Sequence, residues 1–262
     1  MTTRRKFVGA LACAAILRKA GFGGNHVPLA VKLVKGTELV GSVPPDGCNL
    51  VLVDLQDAMV YPSHPEIATA RSRPADEIAA AVAHLRERGV AAVPLLDFST
   101  ANDSWLGVYD RMVCSSVYRK LLPDLIQDAH RIFGKPDYIH IGFAREDYKA
   151  TGGKGQPYVL MRIGNLWWRW FKYTAGCVRR TGARPWAWFD YQWRLEDVPA
   201  EAPKDIVFSN IRGLSDQQES ESSNPRTIGD GLRLLSERGF SLVPWLRDGE
   251  TFDGQGVLGA FI

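Results

Sequence analysis

Short apolar runs alternate with longer amphipathic stretches along most of the chain. The apolar runs lack strict alternation with polar residues, which is typical of parallel strands that are buried on both faces. These runs predict eight strands, at Ala30–Val34, Asn49–Asp54, Ala91–Leu96, Tyr138–Gly142, Arg184–Trp188, Ile206–Ser209, Ser241–Trp245 and Val257–Phe261.

Between several of these strands the apolar positions recur at helical spacing, and each helical stretch stops at a glycine. A glycine just past the last turn is a common helix C-cap because it adopts the left-handed conformation without steric cost. The spacing predicts helices that run from Pro74 to Gly89, from Ser116 to Phe133, from Leu166 to Thr181 and from Thr227 to Arg238.

A repeated layout of helix end, glycine and strand supports this order of elements. Glu87–Pro94 and Glu237–Pro244 share the layout, and Arg180–Trp186 is a looser copy. Repeated helix-to-strand units imply parallel strands with right-handed crossovers, and eight strands in 262 residues predict an α/β fold of the TIM-type (β/α)8 barrel class.

The predicted barrel is trimmed at two places. Little helical pattern lies between Lys35 and Cys48, and the sequence stops at Ile262 directly after the eighth strand. We therefore expect the first and last helices to be reduced or missing, either because the barrel is naturally trimmed or because the chain is a fragment. Apolar strand faces left without a helix predict self-association.

The first residues have the composition of an export leader. Arg4 and Arg5 precede an apolar stretch that extends from Phe7 to Leu17, and paired arginines ahead of a short apolar segment resemble a twin-arginine signal. We expect residues 1–29 to be a leader and residues 30–262 to be the barrel domain, exported to the periplasm or the medium. If the leader is instead a basic helix, the protein is cytoplasmic.

Charge and motifs narrow the classes of function. The formal net charge is +3, but residues 1–24 contribute five positive charges and no acid, which leaves the remainder at −2. A basic surface for nucleic acid is therefore not supported.

No apolar run reaches the roughly 18 residues of a spanning helix, so stable membrane insertion is not expected. No G-x-G-x-x-G follows an early strand, so we expect no nucleotide cofactor.

The carboxyl ends of the predicted strands are rich in carboxylates and aromatic residues. Active sites of (β/α) barrels lie at this end of the barrel, and sugars bind to aromatic faces and to carboxylates. We therefore predict a carbohydrate site, with these substrate-binding residues: Asp54, His64, Asp103, Trp105, His140, Trp188, Tyr191, Trp193 and Trp245.

Metal-dependent hydrolysis and Ser-His-Asp acyl transfer are the two alternatives to a carbohydrate site. A metal-dependent hydrolase would use Asp54, His64, Asp97 and His140, but the chain lacks H-x-H and H-x-x-x-H spacing, and we predict no metal. The four cysteines lie far apart without a C-x-x-C pair, which argues against a structural zinc site. Ser-His-Asp acyl transfer is disfavoured because no G-x-S-x-G elbow is present.

Several segments resemble a known family. They are Val53–Asp57, Ser63–Ile67, Phe98–Thr100, Asp103–Leu106 and Arg184–Tyr191. Together they resemble bacterial proteins with twin-arginine signals whose barrels are similar to the β-N-acetylhexosaminidases of glycoside hydrolase family 20. The resemblance covers most of residues 50–262 and implies a barrel that acts on or binds carbohydrate, with amino sugars as the expected class.

The chain departs from that family at the fourth strand. The family pattern there is His-x-Gly-x-Asp-Glu, in which the Glu is the general acid and the Asp orients the acetamido group of the substrate. His140 and Gly142 fit the pattern, but Ala144 and Arg145 stand where Asp and Glu are expected. An arginine stays charged and cannot deliver a proton.

Two outcomes therefore stay open. In one, Glu146 acts as the general acid with Asp190 or Asp97 as the partner carboxylate, because glycoside hydrolysis requires two carboxyl groups. In the other, the hydrolytic pair is lost and the protein binds carbohydrate without hydrolysing it.

Overall fold

The structure is a computed structural model that describes residues 29–40, 47–143, 162, 164–189, 198–216 and 227–261. Within these residues the predicted α/β class and the alternation of strands and helices are confirmed.

Eight parallel strands form the barrel wall. They are β1 (Leu29–Lys35), β2 (Leu50–Asp54), β3 (Ala91–Leu95), β4 (Tyr138–His140), β5 (Arg184–Trp188), β6 (Val207–Ser209), β7 (Ser241–Leu242) and β8 (Gly259–Phe261). The strands follow one another from β1 to β7, and β8 pairs with the free side of β1. Parallel bridges between Leu242 and Val257 and between Trp245 and Phe261 then join β7 to the β8 segment. The prediction of an eight-stranded barrel is confirmed.

Helices lie between the strands, and the four long ones, at Ala75–Glu87, Ser116–Ile132, Gly164–Thr181 and Ile228–Glu237, match the four that the spacing predicts. In the described residues the helices are α1 (Gly36–Leu39), α2 (Ala75–Glu87), α3 (Ser116–Ile132), α4 (Gly164–Thr181), α5 (Val198–Glu201) and α6 (Ile228–Glu237), with 3-10 helices at Gln56–Ala58, Pro65–Ile67 and Thr100–Tyr109. The start of α6 is fixed by a capping box between Thr227 and Asp230.

The connection between β1 and β2 is reduced, as predicted. Its described part contains only the single turn α1, which buries Leu39 against the core. On the face of β1 that alternates away from the barrel interior, Lys32 is exposed, so this uncovered position carries a charged side chain.

The core has two parts because successive strand residues point to opposite faces. The outer part lies between the strands and the helices. The inner part fills the barrel and consists of Val31, Leu50, Leu52, Val93, Leu95, Trp186, Trp188, Val207, Val243 and Phe261. Trp186 is fully buried and donates its indole N–H to Ser209 Oγ at 2.7 Å.

None of the described helices has the length and apolar character that crossing a membrane would require.

Candidate functional site

The predicted site lies at the carboxyl ends of the strands, next to the inner face of the barrel. Asp54 lies two residues beyond Leu52, Asp97 two beyond Leu95, and Trp245 two beyond Val243, and all three of those apolar residues belong to the inner core. Asp54 ends β2, where side chains alternate. Asp97 is close enough to Asp54 to raise its pKa, and Trp245 packs against the inner core, so all three lie toward the carboxyl-terminal mouth of the barrel.

Asp97 is held in one orientation by three hydrogen bonds. Its Oδ1 accepts from Ser99 N at 3.0 Å and from Ser99 Oγ at 2.5 Å, and its Oδ2 accepts from Asn102 Nδ2 at 2.8 Å. Trp105 donates its indole N–H to the carbonyl oxygen of Asp97 at 2.8 Å. Trp105 is therefore a buried residue of the outer core that holds the Asp97 backbone, and it packs against Tyr61 and Phe98.

Gly142 lies two residues beyond the end of β4 and is a close neighbour of Asp97. It adopts a φ of 75°, and a Cβ atom at this position would overlap the Asp97 carboxylate and lie 2.6 Å from Asp97 Cα. The absence of a side chain at residue 142 thus leaves the space that Asp97 occupies.

Asp54 lies among groups of both signs. Burial raises its pKa, and the negative charges of Asp97 and Asp57 add to this rise. The Gln56 side chain opposes it by donating to Asp54 Oδ1 at 2.6 Å, and so does Lys35, the partner of Asp54 in the β1–β2 register. The net result is a pKa of Asp54 above the ordinary value of an aspartate carboxyl.

His140 and Trp188 form the floor of the mouth. His140 is completely buried, its ring centroid is 4.2 Å from that of Trp188, and its Nδ1 accepts from Gly142 N at 3.1 Å. Burial lowers the pKa of His140 well below its usual value, so the ring is neutral with its proton on Nε2. Trp188 is only 5% exposed, whereas Trp245 is half-buried at the edge of the inner core.

His64 lies apart from the mouth group. Its Nδ1 is 2.9 Å from Glu66 Oε1, and its Nε2 is 3.4 Å from Asp124 Oδ2 on α3. Tyr109 donates to the same Glu66 oxygen. The hydrogen bonds from Tyr109 and His64 lower the pKa of Glu66 to about 2. This cluster connects the segment after β2 to the segment after β3 and to α3.

Asp103 is also turned away from solvent. It lies in the 3-10 helix that follows β3, is 7% exposed, and accepts from Arg111 N at 3.0 Å through Oδ2. Burial, together with the nearby Asp110 carboxyl group, raises the pKa of Asp103 to about 7.

Four predicted site residues lie outside the described residues. They are Glu146, Asp190, Tyr191 and Trp193. Their roles stay predictions. Of the predicted set, the structure brings Asp54, Asp97, His140, Trp188 and Trp245 to the mouth and floor. Trp105 lies in the outer core and donates to the Asp97 carbonyl oxygen.

Sequence reasoning missed Lys35 and Gln56 as neighbours of Asp54. Lys35 directly follows the predicted first strand, so the rule that selected Asp54 would have selected it as well. In the described ranges no group of three His, Cys, Asp or Glu side chains is arranged to hold a metal ion.

Solved structures share this barrel. A β-N-acetylhexosaminidase superposes with a TM-score of 0.59 at 11% identity, over 85% of this chain and 55% of that chain. The glycoside hydrolase family 20 β-N-acetylhexosaminidase of Streptomyces coelicolor gives a TM-score of 0.57 at 13% identity, over 84% of this chain and 49% of that one. The chitobiase of Flavobacterium johnsoniae gives 0.57 at 18% identity, over 76% and 33%.

These matches identify the fold class, a (β/α) barrel like that of glycoside hydrolase family 20. The chain spans about one third to just over half the length of these neighbours. No protein-family model matches the chain, and no curated protein matches it.

Proposed function

We propose that this protein is a carbohydrate-active barrel whose mouth binds an amino sugar and that it acts as a glycoside hydrolase. The observation that carries the proposal is the combination of two carboxyl groups, Asp54 and Asp97, with the half-buried indole of Trp245 around one barrel mouth. The sugar class is proposed from the neighbours of similar fold, which are a chitobiase and β-N-acetylhexosaminidases.

The mouth supplies what a pyranose requires. An indole face packs against the C–H surface of the ring, and carboxylates accept hydrogen bonds from its hydroxyls. Hydrolysis also needs one carboxyl that holds a proton and one that is charged. We propose Glu146 as the general acid, with Asp97 or Asp190 as its partner, and Asp54 as a substrate-binding carboxyl.

A second function, binding without hydrolysis, is favoured by one observation. Ala144 and Arg145 occupy the places where the hexosaminidase pattern has its acidic pair. A guanidinium beside Glu146 would favour the ionised carboxylate and make it a poor acid. In that case the barrel keeps a sugar-binding mouth and has lost turnover.

The two functions separate in one experiment with the purified protein. Hydrolysis of nitrophenyl β-glycosides of N-acetylglucosamine, N-acetylgalactosamine and glucose is measured for the wild type and for Glu146→Gln and Asp54→Asn. N-acetylglucosamine is titrated in parallel while tryptophan fluorescence is followed. We expect millimolar or tighter binding that Asp54→Asn weakens, and turnover that Glu146→Gln lowers by about 10²-fold or more.

Each result bears on a different part of the proposal. Turnover that survives in Glu146→Gln would remove this residue as the acid. Binding with no turnover in the wild type supports the second function. A protein that neither binds nor hydrolyses any of these sugars contradicts both, and Glu237→Gln, on the exposed end of α6, is the control for a change of charge alone.

We also propose that residues 1–29 direct export by the twin-arginine route and that the barrel domain begins at residue 30. The paired Arg4 and Arg5 support this proposal. Self-association through apolar strand faces that lack a helix stays a prediction.

A further inference from the structure

The pairing of β6 with β7 is continued by a side chain. The backbone ladder between them ends where Val243 N donates to Phe208 O at 2.9 Å. Beyond that point, the side-chain amide of Asn210 replaces the backbone partner that a longer β6 would provide. Its Oδ1 accepts from Trp245 N at 2.9 Å, and its Nδ2 donates to Trp245 O at 2.8 Å.

The Asn210 amide group has no freedom to turn. It is completely buried, and its Nδ2 makes a second bond to Arg212 O at 2.7 Å. Because both donor positions meet carbonyl oxygens and the amide oxygen meets an N–H, only one orientation of the group satisfies all three bonds. A buried, fully bonded amide is costly to disturb.

Trp245 is fixed from its other side as well. It bridges to Phe261, whose N–H donates to Pro244 O at 3.0 Å. Arg247 lies near the indole, with its guanidinium carbon 5.9 Å from the ring centroid, and is itself held by two bonds to Asp216 at 2.9 and 2.6 Å. The backbone of Trp245 is therefore clamped while its indole stays partly accessible.

We propose that Asn210 is a positioning residue: its amide clamps the Trp245 backbone and thereby sets the orientation of the Trp245 indole at the barrel mouth. The consequence for sugar affinity rests on the proposed function, since it requires that the indole packs against a bound sugar. An indole that is already held in its binding orientation loses less conformational freedom when the ligand binds.

The alternative is that Asn210 only braces two strand ends. The chain offers a matched control, because Asn49 accepts from Ala30 N at 2.8 Å through its own Oδ1 and so joins β1 to the start of β2. That bond lies at the amino-terminal end of the strands, away from the mouth. A general loss of bracing affects Asn210→Ala and Asn49→Ala alike, whereas positioning affects only the former.

The test uses the full chain and three variants: Asn210→Ala, Asn49→Ala and Trp245→Phe. The indole N–H resonance of Trp245 is assigned from its loss in Trp245→Phe, and Tm and the Kd for N-acetylglucosamine are measured for each protein. We expect both alanine variants to lower Tm, but only Asn210→Ala to shift the Trp245 resonance and to weaken binding by roughly tenfold.

An unshifted Trp245 resonance in folded Asn210→Ala, or equal shifts in the two alanine variants, would overturn the proposal. If the wild type binds no sugar, the proposed function fails, and the resonance alone still decides whether Asn210 orients Trp245. Asn210→Asp is a second variant for the case in which the alanine protein does not fold. Its carboxylate keeps the acceptor for Trp245 N but loses both donors, and a Trp245 resonance that matches the wild type there contradicts the proposal.

Discussion

At the scale of single residues, the position of Asp97 depends on the absence of a side chain at Gly142. Gly142 combines a φ of 75° with direct contact on the Asp97 backbone and carboxyl group. A left-handed conformation is costly for a residue with a side chain, and at this position a methyl group also has no space. Gly142 therefore determines how closely β3 and β4 approach at the mouth.

Gly142→Ala is expected to destabilise the protein by more than about 2 kcal/mol, because the strain of the left-handed backbone adds to a collision that Asp97 cannot relieve. Urea denaturation at pH 7 measures the change. Gly89→Ala is the matched control, since Gly89 has the same φ of 75° with nothing within 4 Å of the added Cβ. Equal losses in the two variants would mean that the contact with Asp97 contributes nothing.

The strand-end rule located part of this site from the sequence. Asp54, Asp97 and Trp245 could be selected because each lies at the end of an apolar run or just beyond it, and strand ends meet at one end of a barrel. The rule could not tell that His64 contacts Glu66 and Asp124 instead, because the segment after β2 folds against α3. The position of His64 depends on its contact with Asp124, which is 60 positions away in the sequence, and a local sequence pattern cannot predict such a contact.

At the scale of elements, the 3-10 helix Thr100–Tyr109 contains a carboxyl group that favours its neutral form. Asp103 has a pKa of about 7 because it is buried and because Asp110 lies beside it. The folded state therefore holds a proton that the unfolded chain, with an aspartate pKa near 4, has released. The stability that this group contributes is full below about pH 4 and is lost as the pH rises to about 7.

Asp103→Asn should remove this pH dependence, because the amide is neutral throughout and keeps an oxygen that accepts from Arg111 N. Between pH 5 and pH 8 the free energy of unfolding of the wild type should fall relative to that of the variant by at least about 1 kcal/mol. Urea denaturation across this range measures it, with the exposed Asp253→Asn as control. Parallel curves for wild type and Asp103→Asn would show that Asp103 titrates normally.

β4 and β7 end earlier than their apolar runs, for local reasons. β4 stops at His140, whereas the run continues to Gly142, because Gly142 and Phe143 both have positive φ values, of 75° and 67°. β7 stops at Leu242, although the run reaches Trp245, because the Asn210 side chain replaces the next backbone partner. Hydrophobic pattern predicts which segments enter the barrel, but hydrogen-bond partners determine where each strand ends.

At the scale of the whole molecule, the leader and the barrel make separate predictions. We expect residues 1–30, fused to a reporter that is active only after export in the folded state, to export that reporter. Changing Arg4 and Arg5 together to Lys should abolish export, because the route depends on the arginine pair and not on charge alone.

A matched variant keeps the charge of the leader. Arg18→Lys with Lys19→Arg alters two basic residues outside the pair and should export as well as the unchanged leader. Equal export by the Arg4→Lys, Arg5→Lys leader would exclude the twin-arginine route.

Closure of the barrel has a consequence for the order of events in folding. β1 pairs on one side with β8, where Leu29 meets Gly259, so these partners are separated by about 230 residues of chain. A ribosome must add about 230 residues after Leu29 before β1 can acquire β8 as its second neighbour. Since pairing between distant segments is slow, we expect β1 to keep one unpaired edge until β8 pairs with it, and an unpaired strand edge promotes aggregation.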